Sequence, residues 1–130
     1  MKSYAPLLIG CLLSITFAVR PAAQNAPETR TFTGTIMDNV CASAGSHGPM
    51  LEKMHAKTAQ ECTVECVHAG GNYVLYGGNV ALIYALDDQI KPEPFAGQAV
   101  VVTGTYDAAA KMIHLATIAP ATPDPATPAH

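Results

Sequence analysis

Positive charge is scarce in this chain of 130 residues: seven lysines and arginines stand against ten aspartates and glutamates, for a formal net charge of −3. Loss of the N-terminal leader described below would remove Lys2 and Arg20, leaving five basic residues against ten acidic, a net of −5. Those five, Arg30, Lys53, Lys57, Lys91 and Lys111, are scattered singly along the sequence. Phosphate backbones are gripped by clustered cations, so nucleic acid is excluded as a partner, and an acidic membrane surface is disfavoured on the same ground. Two cysteine motifs are also missing: Cys-x-x-Cys, which a thioredoxin-type redox centre needs, and Cys-x-x-Cys-His, which covalent haem needs. No apolar run reaches the ~20 residues of a membrane-spanning helix, so no stable membrane insertion is expected once the leader is gone.

What apolar sequence there is in one run lies at the start. Lys2 is followed by Tyr4, Leu7, Leu8, Ile9, Cys11, Leu12, Leu13, Ile15 and Phe17, with no charge until Arg20. This is the pattern of a signal peptide, assigned to residues 1–23 with cleavage after Ala23 favoured over cleavage after Ala18. Leu8-Ile9-Gly10-Cys11 also has the form of a lipoprotein box, but the roughly seven apolar residues before Cys11 are few for an h-region of about 7–15. The mature chain is therefore expected in the periplasm or outside the cell. At the other end, residues 120–130 hold four prolines and no apolar side chain larger than alanine. Such a segment buries too little surface to offset ordering and reads as a flexible tail. With a polar linker over 24–30, the folded unit is expected at 31–119, a single small domain with a thin core.

Within that unit the pattern is mostly of period two. Thr31-Phe-Thr-Gly-Thr-Ile-Met37 alternates as a half-buried strand does. Tyr73-Val-Leu-Tyr76 and Val80-Ala-Leu-Ile-Tyr84, separated by Gly77-Gly-Asn79, predict a hairpin with a tight glycine turn. Gln98 to Tyr106 and Met112 to Ile118 complete a set of five strands, with a connection over 87–97 that carries two prolines and room for one helical turn. Between the first two strands the composition changes. Pro49 suits the first turn of a helix carrying Met50, Leu51 and Met54, and Thr58 followed by Glu61 is a capping-box pattern for a second helix that Gly70 can close. The fold class expected is mainly β with a helical insertion: a five-stranded OB-like barrel whose helical excursion lies between strands 1 and 2.

Several phrases carry a resemblance. Gly34-Thr-Ile-Met-Asp38, Cys41, His47, Cys62-Thr-Val-Glu-Cys66-Val67, Gly71-Asn-Tyr-Val-Leu75, Tyr84-Ala-Leu86 and Phe95-Ala-Gly-Gln-Ala-Val-Val-Val-Thr-Gly104 resemble a family of small exported bacterial OB-like domains of unknown function. The resemblance spans nearly all of the folded unit. It implies the fold and marks Asp38, Cys41, His47, Cys62 and Cys66 as recurring polar positions, leaving out His55 and His68. No activity comes with it.

The four cysteines become three once Cys11 is removed, an odd number that cannot pair completely within one chain. Cys62 and Cys66, four apart in a predicted helix, lie one turn apart with Cβ atoms about 5–6 Å from each other. A disulfide wants about 3.5–4.5 Å, whereas a metal with ~2.3 Å bonds to each sulfur spans the gap. Cys41 and His47, the latter in the loop Gly45-Ser-His-Gly48, are positioned to supply the third and fourth ligands of a Cys3His site, although the spacings match no standard zinc ribbon or finger. Three thiolates and an imidazole suit zinc or copper(I). The rival reading is one structural disulfide, from Cys41 to Cys62 or to Cys66, which would stabilise by about 2–4 kcal/mol and leave one thiol for a disulfide-linked dimer.

Other candidates carry less. Met50 and Met54 are thioethers at helical spacing and read as core. Asp38 reads as a cap at the strand end, with an outer-shell contact to an imidazole as the alternative. His55 would rival His47 only if the two helices were continuous, and the capping box argues for a break. His68 suits a helix C-terminus, and His114 is expected at a solvent face or barrel rim. Tyr73, Tyr76, Tyr84 and Tyr106 read as packing rather than as a stacking platform for bases, and Asp87-Asp88 reads as a turn. A thiol beside His47 or His55 can be nucleophilic, but with no orienting group evident the chain is read as non-enzymatic. The sequence thus predicts an exported binding module with a soft-metal Cys/His site, for an unidentified protein or small ligand; its rival is a structural or partner-binding domain stapled by one disulfide.

Overall fold

A computed structural model describes residues 27–122. The signal peptide, Cys11, residues 24–26 of the linker and residues 123–130 of the tail lie outside the described residues. Five strands are present: β1 (Thr29–Asp38), β2 (Tyr73–Tyr76), β3 (Ile83–Leu86), β4 (Ala99–Asp107) and β5 (Met112–Pro120). They close into a ring in the order β1-β2-β3-β5-β4, with β4 returning to β1. Strand β1 serves two neighbours: Thr29 to Thr35 run antiparallel to β4, and Thr35 to Asp38 run antiparallel to β2. The sheet therefore turns a corner near Gly34, where a Cβ would stand 2.6 Å from the Tyr76 carbonyl oxygen. The only parallel seam among the described strands is β3 with β5, two residue pairs long.

Alternation along β1 and β2 builds two cores. Ile36, Tyr73 and Leu75 point into the ring, where they meet Leu86, Val100, Val102, Ile113 and Leu115. Their neighbours Met37 and Val74 point outward into a second buried layer with Cys41, Ala42, Cys62 and Cys66. Strands buried on both faces read as continuous apolar runs, which explains Tyr73-Val-Leu-Tyr76. What covers their outer face is the excursion between β1 and β2, made of α1 (Asn39–Ala44), α2 (Gly48–Lys53) and α3 (Ala59–His68).

Three expectations need correction. The excursion holds three short helices, not two: Cys41, placed after the first strand, lies in α1, which Asp38 caps through its side chain and Gly45 closes at φ 75°. The strand expected at Val80–Tyr84 is instead β3 at Ile83–Leu86, and the tight glycine turn is a longer loop over 77–82. There the Asn79 side chain accepts the Ala81 N–H and the Asn79 carbonyl accepts the Leu82 N–H, so local hydrogen bonds take up the residues expected in the strand. Val80 is left 58% exposed, so its side chain contributes no apolar burial there. The sheet also runs past the expected unit at both ends, since Thr29 pairs with Thr105 and Pro120 with Val100.

The break between α2 and α3 is as the capping box requires. Glu61 N–H donates to Thr58 Oγ1 at 3.1 Å, and the Glu61 carboxylate accepts from the Lys57 N–H at 2.7 Å. His55 sits in the break at φ 53°, exposed and out of line with the cysteines. Among the described residues, no helix is long and apolar enough to cross a membrane.

Candidate metal centre

Each cysteine is positioned by a separate local rule. Asp38, at the end of β1, turns the chain into α1 by accepting the N–H groups of Val40 at 3.0 Å and Cys41 at 2.9 Å on Oδ1. This cap aims Cys41 inward. On α3 the four-residue spacing places Cys62 and Cys66 on the face turned toward β1 and β2, and both are buried. Gly71 then lets the chain pass close under α3: its N–H donates to the Cys66 carbonyl at 3.0 Å, and a Cβ there would lie 2.8 Å from that oxygen.

The three thiols converge. Cys41 Sγ and Cys62 Sγ are 3.8 Å apart, and all three sulfurs lie within 4.8 Å of one another. No disulfide joins them, and the 3.8 Å approach is well beyond an S–S bond of about 2.05 Å. In a tetrahedral zinc thiolate with ~2.3 Å bonds, neighbouring sulfurs stand roughly 3.8 Å apart, so the cluster can bind a metal ion with little adjustment.

His47, at the start of α2, does not join that triad directly. It belongs to a second group, Asp38, Cys41 and His47, whose ligand atoms also lie within 4.8 Å of one another. Cys41 is common to both groups. Two atoms beside it are buried without a hydrogen-bond partner: Asp38 Oδ2 and His47 Nδ1. Thus Asp38 caps a helix with one oxygen and keeps the other buried without a partner, a double role its sequence position did not separate. The sign in the sequence was Asp38 three residues before Cys41, an N-cap spacing that also returns the side chain to the thiol.

Electrostatics at the site follow from burial. Burial, the Asp38 carboxylate and then Cys62 together push the Cys41 thiol far above the ordinary thiol range. The Cys66 thiol is pushed up to about 11, chiefly by burial and then by the charge of Asp38. His47 is moved the other way: burial lowers it, against the opposing pull of Asp38. Burial thus favours its neutral imidazole, the form that binds metals. Beside Cys66 a cavity of about 340 Å³ is lined by Met50, Lys53, Met54 and Gly70 among others. Met50 and Met54 pack against the cysteine layer as well as lining this opening.

The remaining candidates are dispersed. His68 is exposed in the last turn of α3. His114 is on the outer surface, with Nδ1 3.0 Å from Asp87, whose other oxygen accepts the Leu115 N–H at 2.8 Å. Asp88 closes a turn by accepting from Ile90 and Lys91. Tyr84 and Tyr106 pack with Phe32, ring centroids 5.4–5.8 Å apart, against the ring core, and Tyr73 lies inside it. Comparison of the chain with protein-family models, curated proteins and solved structures finds no match.

Proposed function

We propose that this protein is an exported, non-enzymatic OB-like module that binds a soft transition-metal ion, zinc or copper(I), on Cys41, Cys62 and Cys66, with His47 as the nearest further donor. The observation that carries the reading is the convergence of three buried thiols from two helices at metal-thiolate spacing. Thiolate donors favour zinc and copper(I) over oxygen-seeking cations. Support for an OB-like description comes from the strand order 1-2-3-5-4, with a parallel contact between β3 and β5. Its outer β1–β2 face, however, is occupied by the helices, which favours a role held within the cysteine layer over binding of an extended chain across that face.

A thiol-enzyme reading draws on the meeting of Asp38, Cys41 and His47. Against it, Cys41 is fully buried and its thiol is driven toward the protonated form, the opposite of nucleophile activation. The disulfide reading has a specific pair in its favour, Cys41 and Cys62, because theirs is the 3.8 Å approach. Cobalt(II) titration of the reduced protein separates these readings. Metal binding at the triad gives an intense thiolate-to-cobalt charge-transfer band that zinc displaces and that Cys66→Ser weakens. Absence of any such band from fully reduced, folded protein would exclude the metal reading.

A further inference from the structure

The two donor groups around Cys41 point to more than one ion. Resting on the thiolate reading above, we propose that the centre is binuclear, with a second divalent ion held by Asp38 and His47 and bridged to the first through the Cys41 sulfur. Asp38 Oδ2 and His47 Nδ1 are each buried and without a hydrogen-bond partner, and a carboxylate oxygen of Asp38, a ring nitrogen of His47 and Cys41 Sγ lie within 4.8 Å of one another. A buried carboxylate oxygen and a buried ring nitrogen without partners are costly, and a cation held between the two residues relieves that cost. Thr63 Oγ1 and Tyr73 Oη are also buried without a partner, but a hydroxyl is a far weaker metal donor than a carboxylate or an imidazole.

Charge favours two ions over one. Three thiolates and the carboxylate carry four negative charges in a layer where Asp38, Cys41 and Cys62 are fully buried. One divalent ion leaves half of that charge uncompensated, and two balance it. A thiolate has lone pairs enough to bridge. Ligands of a tetrahedral zinc stand roughly 3.5–3.8 Å apart, so donors within 4.8 Å need to draw in by about an ångström. The first ion then sits on Cys41, Cys62 and Cys66, with its open position toward the cavity beside Cys66. The second is held on nitrogen, oxygen and the shared sulfur, a donor set suited to zinc.

Native mass spectrometry of the reduced chain, spanning residues 24–130 and equilibrated with zinc before excess metal is removed, reads the stoichiometry directly. The wild type is expected to hold two zinc ions, and Asp38→Asn and His47→Ala one each. Asparagine retains an oxygen to cap α1, so Asp38→Asn keeps the fold, which circular dichroism of the metal-free variant checks. Saturation of the wild type at one zinc, or retention of two by both variants, would overturn the second site while leaving the thiolate site standing. Binding of no zinc at all by folded wild type would remove the thiolate reading along with it.

Discussion

Asp38 shows how one side chain ties local structure to chemistry. Its Oδ1 closes the N-terminus of α1 and so sets the direction of Cys41, while its Oδ2 stays buried beside the same thiol. Substitution by alanine removes the cap and is expected to lower the stability of the metal-free protein by about 1 kcal/mol, whereas asparagine, an equally good cap, lowers it much less. Urea denaturation of the two variants measures the difference; equal losses would mean that the cap is not the reason Asp38 matters to the fold. The thiols respond to the same environment. With Cys41 and Cys66 both held protonated at neutral pH, each thiolate that binds metal must first release a proton. Zinc affinity is therefore expected to fall by about tenfold or more for each unit of acidification between pH ~8 and ~6, read by competition with a chelator of known affinity. An affinity flat across that range would show that thiolates are not the ligands.

At the level of elements, the sequence was legible where period and capping agreed. The alternation through Thr31–Met37 and the Thr58/Glu61 capping box marked β1 and α3 because each signal recurs over several residues. Helix α1 is six residues long, too short to show a helical period, so only its caps, Asp38 and Gly45, could have revealed it. Strand β3 was misplaced because Val80-Ala-Leu looks like strand, while the Asn79 side chain and the exposure of Val80 assign those residues to the loop. The spacing of Cys62 and Cys66 was readable as one helical face; their meeting with Cys41 depends on β1 and β2 burying both faces, which no local pattern shows. Gly71 is the residue that lets α3 and β2 lie this close. Gly71→Ala sets a methyl against the Cys66 carbonyl and the Asn39 side chain, and is expected to destabilise by about 1–3 kcal/mol while weakening zinc binding. Unchanged thermal stability of that variant would mean the contact is slack.

Asp87 does for β5 what the caps do for the helices. Its carboxyl is held below the usual carboxylate range, first by the Leu115 N–H and then by His114. Because the folded value lies below the unfolded one, its contribution is complete above the ordinary aspartate range of about 4 and is lost as pH falls through the lowered value. Asp87→Asn is expected to flatten the decline in urea midpoint between pH ~5 and ~3, an effect that no change at the cysteine layer should reproduce. A decline as steep as that of the wild type would place the acid sensitivity elsewhere.

For the whole molecule, the ring and the cysteine layer are two cores that share β1 and β2. Each described strand pairs with two neighbours along part of its length, so the ring is stabilised by its own pairing and apolar interior. The outer layer depends on three short helices, and a metal bound within it would stabilise them by an amount that grows with the logarithm of free metal above its dissociation constant. The chemistry comes from the geometry of the layer: three thiols at metal spacing, with an acid and an imidazole gathered on one of them. Counting thiols on the denatured protein, purified without reductant, together with elemental analysis of the native sample, tests that chemistry most directly. Three titratable thiols and stoichiometric zinc or copper are the expected result; one thiol and no stoichiometric metal would contradict it and establish a Cys41–Cys62 disulfide or its equivalent in its place.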